Sequence, residues 1–154
     1  MYNMKIMVMC TGNICRSAMA DAFLKNKTKG KNIEVYSCGT YAYDGDTVPY
    51  YTIEAMRDYD IDMTNHRATN IRNSNIKEMD LILCATIEHK TITLEMYPEL
   101  KEKVYTMKEY VGMDDNRKNL DVQDPWGYDL FTYRKCATEI NEITDRVIEK
   151  IERK

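Results

Sequence analysis

Long apolar runs are missing from this chain of 154 residues. No stretch approaches the roughly 18 residues that a bilayer span needs, so no membrane partner is expected. A basic excess is also missing. Lys and Arg total 22 against 25 for Asp and Glu, a net charge of −3, and a protein that coats nucleic acid is usually basic. Histidine is scarce, with only His66 and His89, and none of the five cysteines forms a Cys-x-x-Cys pair. A zinc site therefore has little to stand on, and we expect no metal and no cofactor. The N-terminal MYNMKIMVMC lacks the length and cleavage pattern of a secretory signal. With an odd number of cysteines, the expectation is a cytoplasmic protein with reduced thiols rather than a disulfide scaffold. Repeats, low-complexity tracts and linkers are absent too, so residues 1–154 read as one domain.

What is present is a regular alternation. Hydrophobic residues make up 44% of the chain and charged residues 31%, the balance of a globular protein. Short apolar runs fit buried strands at Lys5–Met9 (KIMVM), Ile33–Cys38 (IEVYSC, ended by Gly39), Asp80–Cys84 (DLILC) and Lys103–Met107 (KVYTM). Helices are predicted over Ser17–Lys25, Tyr50–Tyr59 and Ile87–Met96, the last stopping before Pro98. Tyr133, Cys136, Ala137, Ile140, Ile143, Val147 and Ile151 trace one face of a long terminal helix. Asn116–Pro125 is polar and reads as a loop. Strands alternating with helices predict an α/β fold, a four-stranded parallel sheet with helices on both faces. Ligands in such folds bind beyond the carboxyl ends of the strands.

That rule points to the segment after the first strand, Cys10-Thr11-Gly12-Asn13-Ile14-Cys15-Arg16-Ser17. A cysteine ends a buried strand, and an arginine six residues later opens a helix. Gly12 and Asn13 tolerate unusual backbone angles, so the loop can curl its amide N–H groups inward around an anion. Arg16 adds a bidentate grip on phosphate oxygens. The same positive field favours the Cys10 thiolate, the nucleophilic form. Cys-x5-Arg alone is a weak signal; its placement between strand and helix, followed by Ser17, makes it a strong one.

CTGNICRSAMADAF resembles the phosphate-binding loop and first helix of the low-molecular-weight protein tyrosine phosphatases. DLILC, VYTMKEYV and QDPWGYD extend the resemblance over the whole chain. It implies that Cys10 attacks phosphorus to form a phosphocysteine. Thr11, Gly12, Asn13, Ile14, Cys15 and Arg16 would hold the phosphoryl group, and Asp124 of the Asp124-Pro125 pair would act as general acid. It further implies that Ser17 steadies the Cys10 thiolate and that His66 supports the loop. Tyr41, Tyr43, Trp126 and Ile14 would wall the substrate pocket. Cys15 would pair reversibly with Cys10 under oxidation. Phosphorylated proteins are the implied partners. His89 receives no role.

Four chemistries share this loop. Phosphotyrosine hydrolysis is the reading adopted, because Ile14 offers only apolar contact, suited to a phenyl ring. Protein-arginine hydrolysis is the alternative. VYTMKEYV and the short loop before DPWG resemble that branch, which carries threonine at the position of Ile14. Arsenate reduction needs two further relay cysteines close together, and none follows Cys84 before Cys136. A phosphocysteine carrier has no use for the acid at Asp124.

Overall fold

The computed structural model describes residues 3–113 and 119–153. Four strands, β1 (Met4–Cys10), β2 (Ile33–Gly39), β3 (Leu81–Cys84) and β4 (Val104–Thr106), form one sheet in the order β2-β1-β3-β4. Every pairing is parallel. The helices are α1 (Arg16–Lys27), α2 (Tyr50–Arg57), α3 (Ile87–Met96), α4 (Met107–Tyr110) and α5 (Leu130–Glu152). The predicted α/β architecture is therefore the observed one, and α3 has the predicted bounds.

Period-2 alternation along β1 divides the core. Ile6, Val8 and Cys10 face a cluster containing Phe23 of α1, Met56 of α2 and Ile140, Ile143 and Val147 of α5. Met7 and Met9 face the opposite cluster, with Ile71, Ile76, Met79, Ile82 and Val104, against which Leu94 of α3 packs. Both faces of the sheet are covered, which is why its strands read as continuous apolar runs. Of the expected terminal-helix face, Tyr133 through Val147 are buried and Ile151 is half-buried.

Three short 3-10 turns (Ile71–Asn73, Ile76–Glu78 and Pro98–Leu100) and α4 go beyond the expected elements. Met107, expected to close the fourth strand, instead opens α4. Thr106 caps that helix by accepting from Glu109 N, and the Glu109 side chain returns to Thr106 N. Of the expected loop over 116–125, residues 116–118 lie outside the described ones, and 119–125 are irregular.

The chain leaves β1 on one side for β2, then returns past β1 to reach β3. The carboxyl end of β1 is therefore a topological switch point, the place where an open parallel sheet leaves a crevice. Cys10 is its last residue.

Candidate active site

Residues 11–15 leave that crevice and lead into α1. The helix starts with Cys15 as its N-cap, makes no side-chain cap hydrogen bond, and carries no acidic residue in its first turn. Its first N–H donors therefore remain for an anion. Ser17 lies inside this helix and is not its cap.

Asn13 holds the curl of the loop. Its backbone is left-handed, with φ 57°, a conformation asparagine tolerates better than most residues. Its side-chain amide and its carbonyl are both fixed. Asn13 Nδ2 donates to Ser17 Oγ at 2.7 Å, Oδ1 accepts from Thr69 N at 2.9 Å, and the carbonyl accepts from His66 Nε2 at 2.8 Å. His66 thus supports the loop from outside. The end of β2 closes the other flank, where Thr40 N and Tyr41 N donate to the carbonyls of Cys10 and Thr11. Gly39 lies so close that a Cβ there would meet Thr11 O at 2.3 Å, and only glycine leaves room.

Cys10 Sγ lies 3.0 Å from Ser17 Oγ. Because that hydroxyl already accepts from Asn13, its proton is free to go to the sulfur. The alternative acceptor, Cys38 O, is farther away at 3.5 Å.

Arg16 is only 5% exposed. Nη1 donates to Val122 O at 3.1 Å, and Nη2 lies 3.5 Å from both Thr11 Oγ1 and Asp124 Oδ2. Nε is buried with no partner among the described residues. A buried, unpaired donor on a guanidinium is costly unless an anion meets it. Asp124 is half-exposed, and its Oδ1 accepts from Trp126 N at 3.1 Å, which aims the carboxylate back toward Arg16.

These groups line one cavity of about 300 Å³, together with Thr11, Gly12, Ile14, Cys15, Tyr41, Tyr43 and Trp126. The three aromatics stand at its mouth, 69%, 77% and 60% exposed respectively. Asn13, Ser17 and His66 do not line it and act from behind. Cys15 Sγ turns toward Tyr133 Oη at 3.7 Å, and burial pushes its thiol up to about 11. Burial likewise pushes Cys84 and Cys136 up to about 12 and raises Cys38.

Two residues escaped the sequence reading. Asp46, from the loop after β2, lines the cavity. His89, on the first turn of α3, contacts Thr11 Oγ1 through Nε2 at 2.8 Å. Both sit beyond the carboxyl ends of strands, so the rule that singled out Cys10 also reaches them. The start of α3 holds the acid loop as well. Val122 N donates to Ala85 O at 2.8 Å, and Ile87 N to Asp121 Oδ1 at 2.9 Å.

Burial, and secondarily the Arg16 guanidinium, hold His89 down at about 4. An unfolded histidine takes its proton near the model value of 6.5. Stability is therefore complete above that value and falls as pH drops toward 4, by on the order of 3 kcal/mol. Thermal unfolding at pH 7 and pH 4 should show wild type losing more stability than His89→Gln, which has no ring to titrate. Equal losses would mean that His89 is not held neutral.

A doubly covered parallel sheet with this cysteine–arginine loop at its switch point, faced by a carboxylate, defines a cysteine-dependent phosphatase. Residues 5–154 match the model of the low molecular weight phosphotyrosine protein phosphatases, and the chain belongs to that family. It is 32% identical over 148 residues to a protein-arginine-phosphatase of Geobacillus stearothermophilus, covering 96% of each chain. Over 144 residues it is 30% identical to the low molecular weight protein-tyrosine-phosphatase PtpB of Staphylococcus epidermidis, covering 94% of this chain and 96% of that one. A crystal structure of a low molecular weight protein tyrosine phosphatase from T. tengcongensis superimposes with a TM-score of 0.88 at 37% identity, over 96% of this chain and 99% of the other.

Proposed function

We propose that the enzyme hydrolyses phosphotyrosine on proteins or small aryl phosphates through a phosphocysteine at Cys10. The observation that carries this is the shared cavity. Cys10, Arg16 and Asp124 line it together, and Ile14, Tyr41, Tyr43 and Trp126 surround them with apolar surface. Cys10 Sγ attacks phosphorus as the bond to the tyrosine oxygen breaks. Arg16 meets the equatorial oxygens with Nε and Nη2. Asp124 gives its proton to the departing phenoxide, then takes one from the water that cleaves the S–P bond and releases phosphate. The reading requires no metal or cofactor. It places the enzyme in the cytoplasm without nucleic-acid or membrane partners, supported by the net charge of −3 and five free thiols.

A second reading, protein-arginine hydrolysis, is favoured by Asp46. A guanidinium brings N–H donors that Ile14 cannot accept, but a carboxylate on the same cavity can. Hydrolysis rates on phosphotyrosine and phosphoarginine, measured side by side, decide between the two. The wild-type enzyme is expected to favour phosphotyrosine. Ile14→Thr, which adds a hydroxyl acceptor at similar volume, should move the kcat/KM ratio toward phosphoarginine by roughly ten- to a hundredfold. Asp46→Asn should leave phosphotyrosine hydrolysis nearly unchanged. Faster phosphoarginine turnover in wild type, lost on Asp46→Asn, would establish the second reading. Arsenate reduction has weak support, since Cys84, the last residue of β3, is fully buried.

Cys15 lines the same cavity as Cys10, which supports a reversible protective disulfide. Peroxide would convert the Cys10 thiolate to a sulfenic acid. The Cys15 thiolate would then attack that sulfur and expel hydroxide. Because burial pushes the Cys15 thiol up to about 11, closure should quicken by about tenfold per pH unit from 7 to 9. Peptide mapping should find the crosslink, dithiothreitol should restore activity, and Cys15→Ser should recover less. Oxidised protein without the crosslink would reduce Cys15 to a packing residue.

A further inference from the structure

The His89 ring lies between two threonine hydroxyls and is 2% exposed. Nδ1 is 2.8 Å from Thr86 Oγ1, and Nε2 is 2.8 Å from Thr11 Oγ1. Thr86 is also the N-cap of α3, where its Oγ1 accepts from His89 N at 3.2 Å. These contacts discriminate between the two neutral tautomers. If Nδ1 carried the proton, Thr86 would accept twice and its own proton would have no acceptor among the described residues. If Nε2 carries it, Thr86 accepts the capping N–H, donates to Nδ1, and is satisfied.

The Nε2–H then donates to Thr11 Oγ1. Arg16 Nη2 donates to the same oxygen at 3.5 Å. Thr11 is surrounded by donors, so its own proton cannot go to either neighbour. The open direction is the cavity that Thr11 lines. We propose that His89, as the Nε2–H tautomer, is a positioning residue that turns the Thr11 hydroxyl into a donor for the bound phosphoryl group. This rests on the reading of residues 10–16 as the phosphate site.

The ring must stay neutral to serve this way. Desolvation and Arg16 oppose a charge on it, while Asp121 and Asp124 pull weakly in the other direction. An imidazolium would stand beside Arg16 and leave Nδ1 with a proton directed at a hydroxyl that already accepts.

Nitrogen-15 NMR of the histidine rings in the full chain tests the tautomer without any substrate. We expect protonated Nε2 and bare Nδ1 at pH 7, unchanged to pH 5; the opposite assignment overturns the proposal. Inhibition by inorganic phosphate tests the consequence. Absence of phosphate binding to wild type would overturn the site reading itself. Given binding, Thr11→Val and His89→Leu should each weaken it by about ten- to a hundredfold, the worth of one hydrogen bond to a charged group. The double variant should be no weaker than Thr11→Val alone, because both changes remove one path. His89→Gln, whose amide N–H can reach the same oxygen, should recover most of what His89→Leu loses. Multiplicative losses, or full phosphate affinity in Thr11→Val, overturn the proposal. Should His89→Leu fail to fold, the ring assignment and Thr11→Val still decide it.

Discussion

Cys10→Ser is expected to abolish turnover while leaving inorganic phosphate bound. The two effects separate because different atoms cause them. On the proposed reading, phosphate is held by the amide donors of the loop and by Arg16, which donates to Val122 O at 3.1 Å, and none of these is touched. The lost atom is the sulfur, which Ser17 supports at 3.0 Å. A serine hydroxyl in its place stays protonated near neutral pH and is a poor nucleophile without an adjacent base. Turnover should fall by roughly four orders of magnitude or more, the scale seen when a covalent nucleophile is removed. Steady-state rates together with phosphate titration calorimetry check both halves. Turnover within tenfold of wild type would take Cys10 out of the mechanism.

Asp124→Asn should be the next most damaging change, with losses of about 10² to 10⁴-fold. Asparagine keeps an oxygen for Trp126 N, which Asp124 Oδ1 accepts at 3.1 Å, so the turn is preserved while the proton donor is lost. The loss should depend on the leaving group. Formation of the phosphocysteine should slow most for alkoxides and unactivated phenoxides, and least for nitrophenoxide, which departs unaided. Release of phosphate from Cys10 should slow equally for all substrates, since that step no longer contains the leaving group. A uniform loss in the first step would show that Asp124 only shapes the loop.

The architecture and the central residues of the candidate site were legible in the sequence because their signals are local. A sheet covered on both faces imprints continuous apolar strands, and Cys10, Arg16 and the glycine–asparagine pair between them lie within seven residues of one another. The short helix α4 was obscured because KVYTM reads as an unbroken strand. Its capping pair, Thr106 and Glu109, was nonetheless present at the spacing that announces a helix. His89 and Asp46 carry no such local mark. Each reaches the site because parallel strands deliver their following loops to one edge. His89 is recognisable only once Thr11, 78 positions away in the chain, stands 2.8 Å from its ring.

The seam between Gly39 and the loop has a consequence for how such a site can diversify. The 2.3 Å that a Cβ would leave to Thr11 O means that backbone meets backbone there, with no side chain whose exchange could retune the fit. Change is confined to the rim, where Tyr41, Tyr43 and Trp126 are mostly exposed and owe little to the packing beneath them. New specificities can accumulate at the mouth one residue at a time, while the floor tolerates almost none. A directed-evolution library for altered substrates belongs on those positions together with Ile14 and Asp46, and enrichment of variants at Gly39 would show the seam to be softer than its geometry implies.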